Sequence, residues 1–270
     1  MNFDNSPNDF LIFEFDRDEE SSIFSRANQK LLLSSQKLNL AIDKIFRRSV
    51  PANRKGITIF MLGRTCIKNF HSILMLCTNG HGCDAMKILR SMFEKMVDAK
   101  YLHKHPEEID MFWDFYLLQL KNQGFEEIAE KSDKDYLQKI EKFKIVKKGK
   151  RTKFYRISWS EKNLKARAKS VGISDFQIQT SYSIANSYVH TSVKEFFDNL
   201  DLEPDGSLSP TESVTEKERE QANLAFSFSY WAMLQIMELV IEHYDFQDAK
   251  PIFDECLNEF KTAIKSKKSN

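Results

Sequence analysis

Residues 56–104 read GITIFMLGRTCIKNFHSILMLCTNGHGCDAMKILRSMFEKMVDAKYLHK and contain two helical patterns joined by a short turn. On both sides of the turn, apolar side chains recur at intervals of three and four residues, which is the spacing of one helix face. The turn holds Asn79, Gly80 and Gly82, residue types that adopt left-handed backbone conformations at little steric cost. The stretch therefore predicts two long helices, over about 56–78 and 84–104.

Similar patterns continue on both sides and predict an all-α fold. The chain has eight glycines and six prolines, too few turn-forming residues for many short strands. Its large apolar residues are mainly Leu, Ile and Phe, whereas a sheet-rich chain uses more β-branched residues. We expect an irregular bundle of about eight helices. The other predicted helices lie at about 21–48, from 106 onward, and at 134–143, 160–171, 175–199, 216–244 and 249–265.

Three segments fall outside the helical patterns. Residues 1–20 are acidic and form a predicted N-terminal extended arm, residues 142–160 form a basic linker, and residues 201–215 form a surface loop. No internal repeat divides the chain. The sequence therefore predicts a single helical domain over residues 1–270.

The composition also bears on location. The four cysteines form no CxxC pair, and the chain opens on acidic residues without a signal peptide, so we expect a cytoplasmic protein. A membrane span needs about 18 uninterrupted apolar residues, and even Ala222–Ile241 contains polar residues such as Glu238. We therefore expect no association with a membrane.

Metal and cofactor sites receive little support from the spacing of ligand residues. His81 and Cys83 lie close together, but a zinc site needs two further ligands, and His103 and His105 are a whole helix away. No nucleotide-binding glycine motif and no Gly-x-Ser-x-Gly motif is present. The sequence predicts neither a metal nor a cofactor.

Residues 142–169 carry a strong excess of positive charge. They include twelve Lys or Arg residues and one acid, Glu161. Aromatic residues such as Phe143 and Trp159 are interleaved, a combination that neutralises phosphates and stacks on bases. The candidate nucleic-acid contacts are Lys147, Lys148, Lys150, Arg151, Lys153 and Arg156. The alternative is a solvated linker neutralised by the acidic N-terminus or by residues 201–220.

Four short motifs occur in an order that is typical of one family. They are Leu89-Arg90-Ser91-Met92-Phe93-Glu94, Ser158-Trp159, Tyr182, and Ser187-Tyr188-Val189-His190. In this order they resemble an uncharacterised bacterial helical family, domain of unknown function 5677, with an Arg-x-x-x-Glu helix followed by a Tyr, Ser, His helix. The resemblance covers about residues 56–193. The family has no established activity to carry over.

Three residues of these motifs form a first candidate catalytic cluster. Four residues separate Arg90 from Glu94, so helical geometry places both on one face within salt-bridge distance. One interpretation is that Arg90, Glu94 and His190 converge in a polar pocket between helices. The other is structural: the Arg90–Glu94 pair braces the bundle, and His190 belongs to a buried hydrogen-bond network.

Arg64 and His71 form a second candidate catalytic pair. Seven residues are nearly two helical turns, so both side chains share a face. The spacing is similar to the Arg-x4-6-His motif of the HEPN ribonuclease superfamily, with Thr65 where a polar residue usually follows the arginine. The resemblance implies a helical, often dimeric, metal-independent enzyme. In such enzymes His moves protons and Arg stabilises charge on phosphorus while the RNA 2′-OH attacks.

These observations support two hypotheses. The first is a HEPN-like, metal-independent ribonuclease that acts on RNA as a toxin or phage-defence effector in a bacterium. The second is a non-enzymatic helical protein whose charged surfaces bind a nucleic acid, another polyanion, a protein partner or a second copy of the chain. Arg and His side chains that meet in one basic cleft favour the first hypothesis. A His190 enclosed by apolar groups favours the second.

Overall fold

A computed structural model gives the fold of the chain. It describes residues 17–146, 153–155, 158–189, 200–202, 204–210 and 214–267. The α-helices of this part are α1 (Arg17–Phe46), α2 (Arg54–Thr78), α3 (Gly82–Lys104), α4 (Ile109–Asn122), α5 (Glu126–Ser132), α6 (Tyr136–Glu141), α7 (Leu164–Ser170), α8 (Asp175–Ile178), α9 (Ala185–Val189), α10 (Glu216–Tyr244) and α11 (Lys250–Lys267). A π-helical turn, Gln179–Ile184, joins α8 to α9. The predicted all-α class is confirmed.

Two short antiparallel hairpins accompany the helices. Strand β1 (Lys144–Val146) pairs with β2 (Lys153–Tyr155), and β3 (Leu200–Leu202) pairs with β4 (Leu208–Pro210). Both hairpins fall in segments that the sequence predicted to be a linker and a loop. Three-residue strands have too little periodicity to be recognised, which explains why they were missed.

Helix α3 lies at the centre of the main core. It packs against α2 and α10, which also contact each other, while α1 and α11 pack together and onto the same core. The fully buried aromatic side chains of this cluster are Phe70, Phe93, Phe226 and Tyr230. A smaller cluster of buried apolar residues forms around α4 and α6 and includes Phe143 and Trp159.

The first turn of α3 is pressed against the backbone of α10. A Cβ at Gly82 would overlap the Glu218 carbonyl oxygen and lie 2.5 Å from the Ala222 nitrogen. The side chain of Glu218 also caps α3, since the Cys83 N–H donates to Glu218 Oε2 at 2.7 Å. The Cys77 thiol donates to the Ala222 carbonyl oxygen at 3.3 Å. Only a residue without a side chain allows this approach.

The N-terminal boundary of the first helix differs from the prediction. Helix α1 begins at Arg17, so residues 17–20 of the predicted arm are helical. Glu20 is buried and accepts a hydrogen bond from Arg219 Nη2 at 2.6 Å. The long-range partner on α10 explains why the helix extends back to this point. Residues 1–16, the rest of the predicted arm, lie outside the described residues.

Other boundaries differ for local reasons. Helix α7 begins at Leu164 and not near residue 160 as predicted, because Asn163 caps it by accepting from the Ala166 N–H at 2.9 Å. The helix predicted at 175–199 is interrupted by the π turn. Helix α5 was not predicted, because its seven residues are mainly charged and bury only Ala129. The predicted bounds of α10, Glu216–Tyr244, are confirmed.

Helix α10 has the length and apolar composition of a membrane-spanning helix, and 67% of its most apolar window is buried inside the protein. A core helix of a water-soluble protein has the same properties. The absence of a membrane association therefore stays a prediction.

Replacing Gly82 with Ala should destabilise the protein strongly. The new methyl group would overlap the α10 backbone, so α3 and α10 must move apart, at a cost of about 3 kcal/mol or more. Urea denaturation followed by circular dichroism measures the change. Gly124→Ala is the control, because a Cβ there meets nothing within 4 Å and only the positive φ of 82° is strained. Its cost is about 1–2 kcal/mol. Equal losses in the two variants would contradict the close contact.

Candidate functional site

An open groove between α1 and α2 contains the second predicted pair. Arg64 and His71 both line it, together with Lys68, which lies between them on α2. Helix α1 supplies Asn39 on the facing wall, and Arg47 follows directly after its last residue. The volume of the groove is about 430 Å³. The prediction that Arg64 and His71 share a face is thus confirmed. The groove has four further polar lining residues, Asn39, Asp43, Arg47 and Lys68.

The groove is basic and open to solvent. Arg64, Lys68 and His71 are exposed, and neither Arg64 nor Lys68 forms an ion pair with any residue that the structure describes. Arg47 is paired with Asp43 at 2.9 Å, one turn before it on α1. Two unpaired cations beside a histidine form a surface on which a phosphate can bind by charge-assisted hydrogen bonds.

His71 is oriented by a side chain of α1. Its Nε2 lies 3.2 Å from Asn39 Oδ1, which can only accept a hydrogen bond. With the proton on Nε2, the other ring nitrogen, Nδ1, carries a free lone pair and can accept a proton. Sequence reasoning missed Asn39, because residues 32 positions apart carry no periodic signal for contact.

The motif residues Arg90 and Glu94 form the predicted salt bridge on α3. Arg90 Nε is 3.1 Å from Glu94 Oε1, and the side chains are 21% and 38% exposed. The guanidinium carbon also lies 5.3 Å from the centre of the Tyr182 ring, which stacks on Phe93. The π turn thus brings the motif residue Tyr182 onto the helix that carries Arg90 and Glu94. This arrangement favours a bracing role for the pair.

The convergence of Arg90 and Glu94 with His190 is not part of the described structure, since His190 lies outside the described residues. Ser187, three residues earlier, is exposed, and its hydroxyl donates to the Ile184 carbonyl oxygen at 2.7 Å. The groove between α1 and α2 is not lined by Arg90 or Glu94. Among the described residues, the two predicted clusters therefore do not share this groove.

One turn beyond Glu94, α3 carries a buried acid that sequence analysis did not single out. Asp98 Oδ1 lies 3.0 Å from Arg167 Nη2 of α7, and the two side chains are 15% and 6% exposed. The motif residue Trp159 donates from its indole nitrogen to Asp98 Oδ2 at 3.3 Å and also lies beneath the Arg167 guanidinium. Arg167 Nη1 donates to the Lys162 carbonyl oxygen at 2.7 Å and to Ser158 Oγ at 3.2 Å.

This buried pair holds α7 and the Ser-Trp motif against α3. Burial raises the pKa of the Asp98 carboxyl to about 6, which outweighs the lowering by Arg167 and by the Trp159 N–H. In the sequence, Asp98 could be noticed because it follows Arg90 and Glu94 at four-residue intervals along one helix. Its partner Arg167, however, is 69 positions away from Asp98 and lies among the cations of the basic segment.

The described part of the basic segment is largely neutralised. Lys142 pairs with Asp114 at 2.5 Å, Lys144 pairs with Glu141, and Lys169 pairs with Asp175 at 2.8 Å. These acids differ from the predicted ones, which were the N-terminus and residues 201–220. Phe143 and Trp159 are buried, so neither offers a face to a base.

Most of the candidate nucleic-acid contacts lie outside the described residues. These are Lys147, Lys148, Lys150, Arg151 and Arg156. Lys153 is the second-strand partner of Val146 in the first hairpin. The contact of this segment with RNA therefore stays a prediction.

Three residues that follow α3 combine ligand types that metals use. His105, Glu107 and Glu108 place ligand atoms within 4.8 Å of one another. Their polar atoms already form contacts: His105 Nδ1 is 3.2 Å from Glu107 Oε1 within the cluster, and the Tyr101 hydroxyl donates to Glu108 at 2.8 Å. Such contacts are sufficient to explain the cluster as a helix-end hydrogen-bond network.

Replacing Arg167 with Met should make stability strongly dependent on pH. Without the cation, the pKa of Asp98 rises further above its ordinary value of 3.8. A raised folded-state pKa gives stability that is present below about pH 4 and is lost as the pH rises through the folded pKa. At pH 8 we expect a loss of about 3–5 kcal/mol, and a smaller loss at pH 5. Urea denaturation at both pH values measures it.

The control combines Arg167→Met with Asp98→Asn. The double variant has no carboxyl at position 98 to titrate, so its stability should lack the fall between pH 5 and pH 8 that Asp98 causes in the single variant. A single variant that follows the wild-type pH profile would show that the Asp98–Arg167 contact does not control the pKa.

Comparison with known proteins supports the family resemblance that the order of the motifs indicated. Residues 57–208, more than half of the chain, match the model of a family of unknown function, DUF5677. No curated protein and no solved structure matches. The similarity to HEPN ribonucleases stays a prediction. The matched region contains α2 with Arg64 and His71, α3 with Arg90, Glu94 and Asp98, and the π turn with Tyr182. The chain therefore belongs to the family of unknown function DUF5677.

Proposed function

We propose that the protein is a metal-independent endoribonuclease whose active site is the groove between α1 and α2. The proposal is carried by one observation: Arg64, Lys68 and His71 line a single solvent-open groove. A cleft that combines cations with a histidine can bind a phosphodiester and move a proton next to it.

Substrate binding would use the unpaired cations of α2. Arg64 and Lys68 are one turn apart and have no carboxylate partner among the described residues, so their charges are available to phosphate oxygens. The apolar part of the lining, which includes Leu40 and Ile67, gives a surface for sugar and base. A volume of about 430 Å³ is within the range of small-ligand sites, roughly 300–1,000 Å³.

The proton transfer would belong to His71. Its Nε2–H donates to Asn39, and its Nδ1 takes the proton of the RNA 2′-OH, whose oxygen attacks the adjacent phosphorus. The bond from phosphorus to the 5′ oxygen breaks, and that oxygen takes a proton from solvent. The products are a 2′,3′-cyclic phosphate and a free 5′-OH end. Arg64 and Lys68 stabilise the additional negative charge on the phosphoryl oxygens.

The donor set of the groove supports a reaction without a metal. A metal-dependent nuclease needs several carboxylate or histidine ligands around one point. Among the described lining residues, His71 and Asp43 are the ligands of these types, and Asp43 is paired with Arg47.

A toxin or phage-defence effector is the cellular role that follows from such an activity, because cleavage of cellular RNA stops growth. The alternative function is RNA binding without catalysis. The same cations support it, since unpaired Arg and Lys bind phosphate whether or not a proton is transferred. Experiments on His71 separate the two.

His71→Ala should lower RNA cleavage by about 10²–10⁴-fold, the usual contribution of a general base. Arg64→Ala should lower it by about 10²–10³-fold, through loss of charge stabilisation. Cleavage of a fluorescent single-stranded RNA in the presence of EDTA measures both rates. Melting temperatures should stay close to wild type, because both side chains are exposed.

Lys87→Ala serves as the matched loss of one positive charge, because Lys87 lies on α3, away from the groove, beside Asp84. It should cleave like wild type. Tight binding of RNA by the wild type without any cleavage would establish the binding function instead. If the wild type neither bound nor cleaved RNA, both functions would be ruled out.

Charge reversal in the basic segment tests whether RNA extends beyond the groove. Changing Lys147, Lys148, Lys150 and Arg151 to Glu should weaken RNA binding. It should also make the binding less dependent on salt. The slope of the logarithm of the binding constant against the logarithm of the salt concentration should be smaller by about 0.7 for each phosphate that the protein no longer neutralises. Fluorescence anisotropy at several salt concentrations gives both quantities. The control reverses four exposed cations elsewhere, Arg26, Lys30, Lys250 and Lys261. Equal effects of the two sets would mean that the segment acts only through net charge.

A further inference from the structure

Two histidines from different helices face each other at the junction of α3 and α10. The Nδ1 atoms of His103 and His243 are 2.9 Å apart, and the ring planes are inclined at 66°. Both residues are partly buried, and the His103 side chain is 29% exposed. Water and small ions can therefore reach the pair, while the packed helices hold its position.

Neighbouring side chains lie beside both rings. Glu242 Oε1 lies 3.7 Å from His103 Nε2, close enough to attract a positive charge but beyond hydrogen-bond distance. The Tyr244 ring packs edge-on against His243, with centroids 4.7 Å apart. A carboxylate hydrogen-bonded to the outer nitrogen of a metal-binding imidazole fixes the ring, and a small shift of the exposed Glu242 side chain would make this contact.

The separation of the two nitrogens fits two ligands of one metal ion. Imidazole nitrogens bind zinc and similar ions at about 2.0–2.1 Å. Two such nitrogens at right angles around the ion are about 2.9 Å apart, and at a tetrahedral angle about 3.3 Å. In the structure the two Nδ1 atoms share a hydrogen bond, so a metal ion would replace its proton, and both rings would turn to aim their Nδ1 lone pairs at the ion.

The local charges are balanced. Lys55 lies near His243 and repels a cation, whereas Glu242 attracts it. Lys100 has Glu238 and Glu242 as its own charge neighbours. Lys100 is held by Gln235, whose Oε1 accepts from its ammonium group at 2.5 Å. The surroundings of His103 and His243 therefore have no net charge that prevents a divalent ion from binding.

We propose that His103 and His243 bind one divalent transition-metal ion of the zinc or nickel type through their Nδ1 atoms, with water in the other positions. The ion links α3 to α10 and stabilises the folded protein. This inference departs from the sequence-based prediction of no metal, which considered ligands close in sequence, whereas these are 140 positions apart. It is independent of the proposed ribonuclease, whose groove is on α1 and α2.

The test is a titration of the tag-free, EDTA-treated protein with zinc chloride and, separately, with nickel chloride, by isothermal titration calorimetry. We expect one equivalent of metal to bind and the melting temperature to rise. His103→Gln and His243→Gln should each weaken binding at least tenfold, because one imidazole is lost. The double variant should bind no better than either single variant. Circular dichroism without metal checks that the variants fold, and if His243→Gln does not fold, the more exposed His103→Gln decides.

The matched control is His105→Gln, which removes the histidine of the neighbouring His105–Glu107–Glu108 cluster. It should bind metal like wild type. No saturable binding by the wild type, unchanged binding by His103→Gln, or loss of binding in His105→Gln would each overturn the proposal. RNA cleavage by His103→Gln should equal that of wild type, so failure of the metal site and failure of the nuclease are seen separately.

Discussion

The contact between Gly82 and the backbone of α10 is the constraint on which the arrangement of the helices depends. It fixes where α3 begins and how closely it approaches Glu218 and Ala222. Because a helix is rigid, fixing its first turn also fixes the positions of residues farther along it. Arg90 then faces the π turn, Asp98 faces α7, and His103 faces α10 again.

The polar groups of the molecule fall into two physical classes. In the groove between α1 and α2, the cations are solvated, so each contributes little to stability and remains available to a ligand. Between α3 and α7, Asp98 and Arg167 are withdrawn from water, so each must satisfy the other. The exposed cations can therefore bind a substrate, whereas the buried pair holds α7 against α3.

Much of the fold could be predicted from local sequence, because helix periodicity and capping are local properties. The bounds of α10 and the common face of Arg64 and His71 are examples. What could not be predicted depends on contacts between distant segments. Glu20 extends α1 because Arg219 is nearby in space, and Asn39 joins the groove because α1 packs on α2. The π turn is similar, since only packing on α3 shows why it places Tyr182 where it does.

The region shared with the family is smaller than the set of helices that pack together. Residues 57–208 contain Phe70, whose ring lies against Phe226 and Tyr230 of α10, outside the shared region. A fragment cut to the family boundaries would leave that ring and the adjoining faces of α2 and α3 uncovered. Contiguous apolar surface of this kind promotes self-association, so such a fragment should aggregate unless another polypeptide replaces α10. Relatives that share the family region therefore need an equivalent of α10, whatever sequence supplies it.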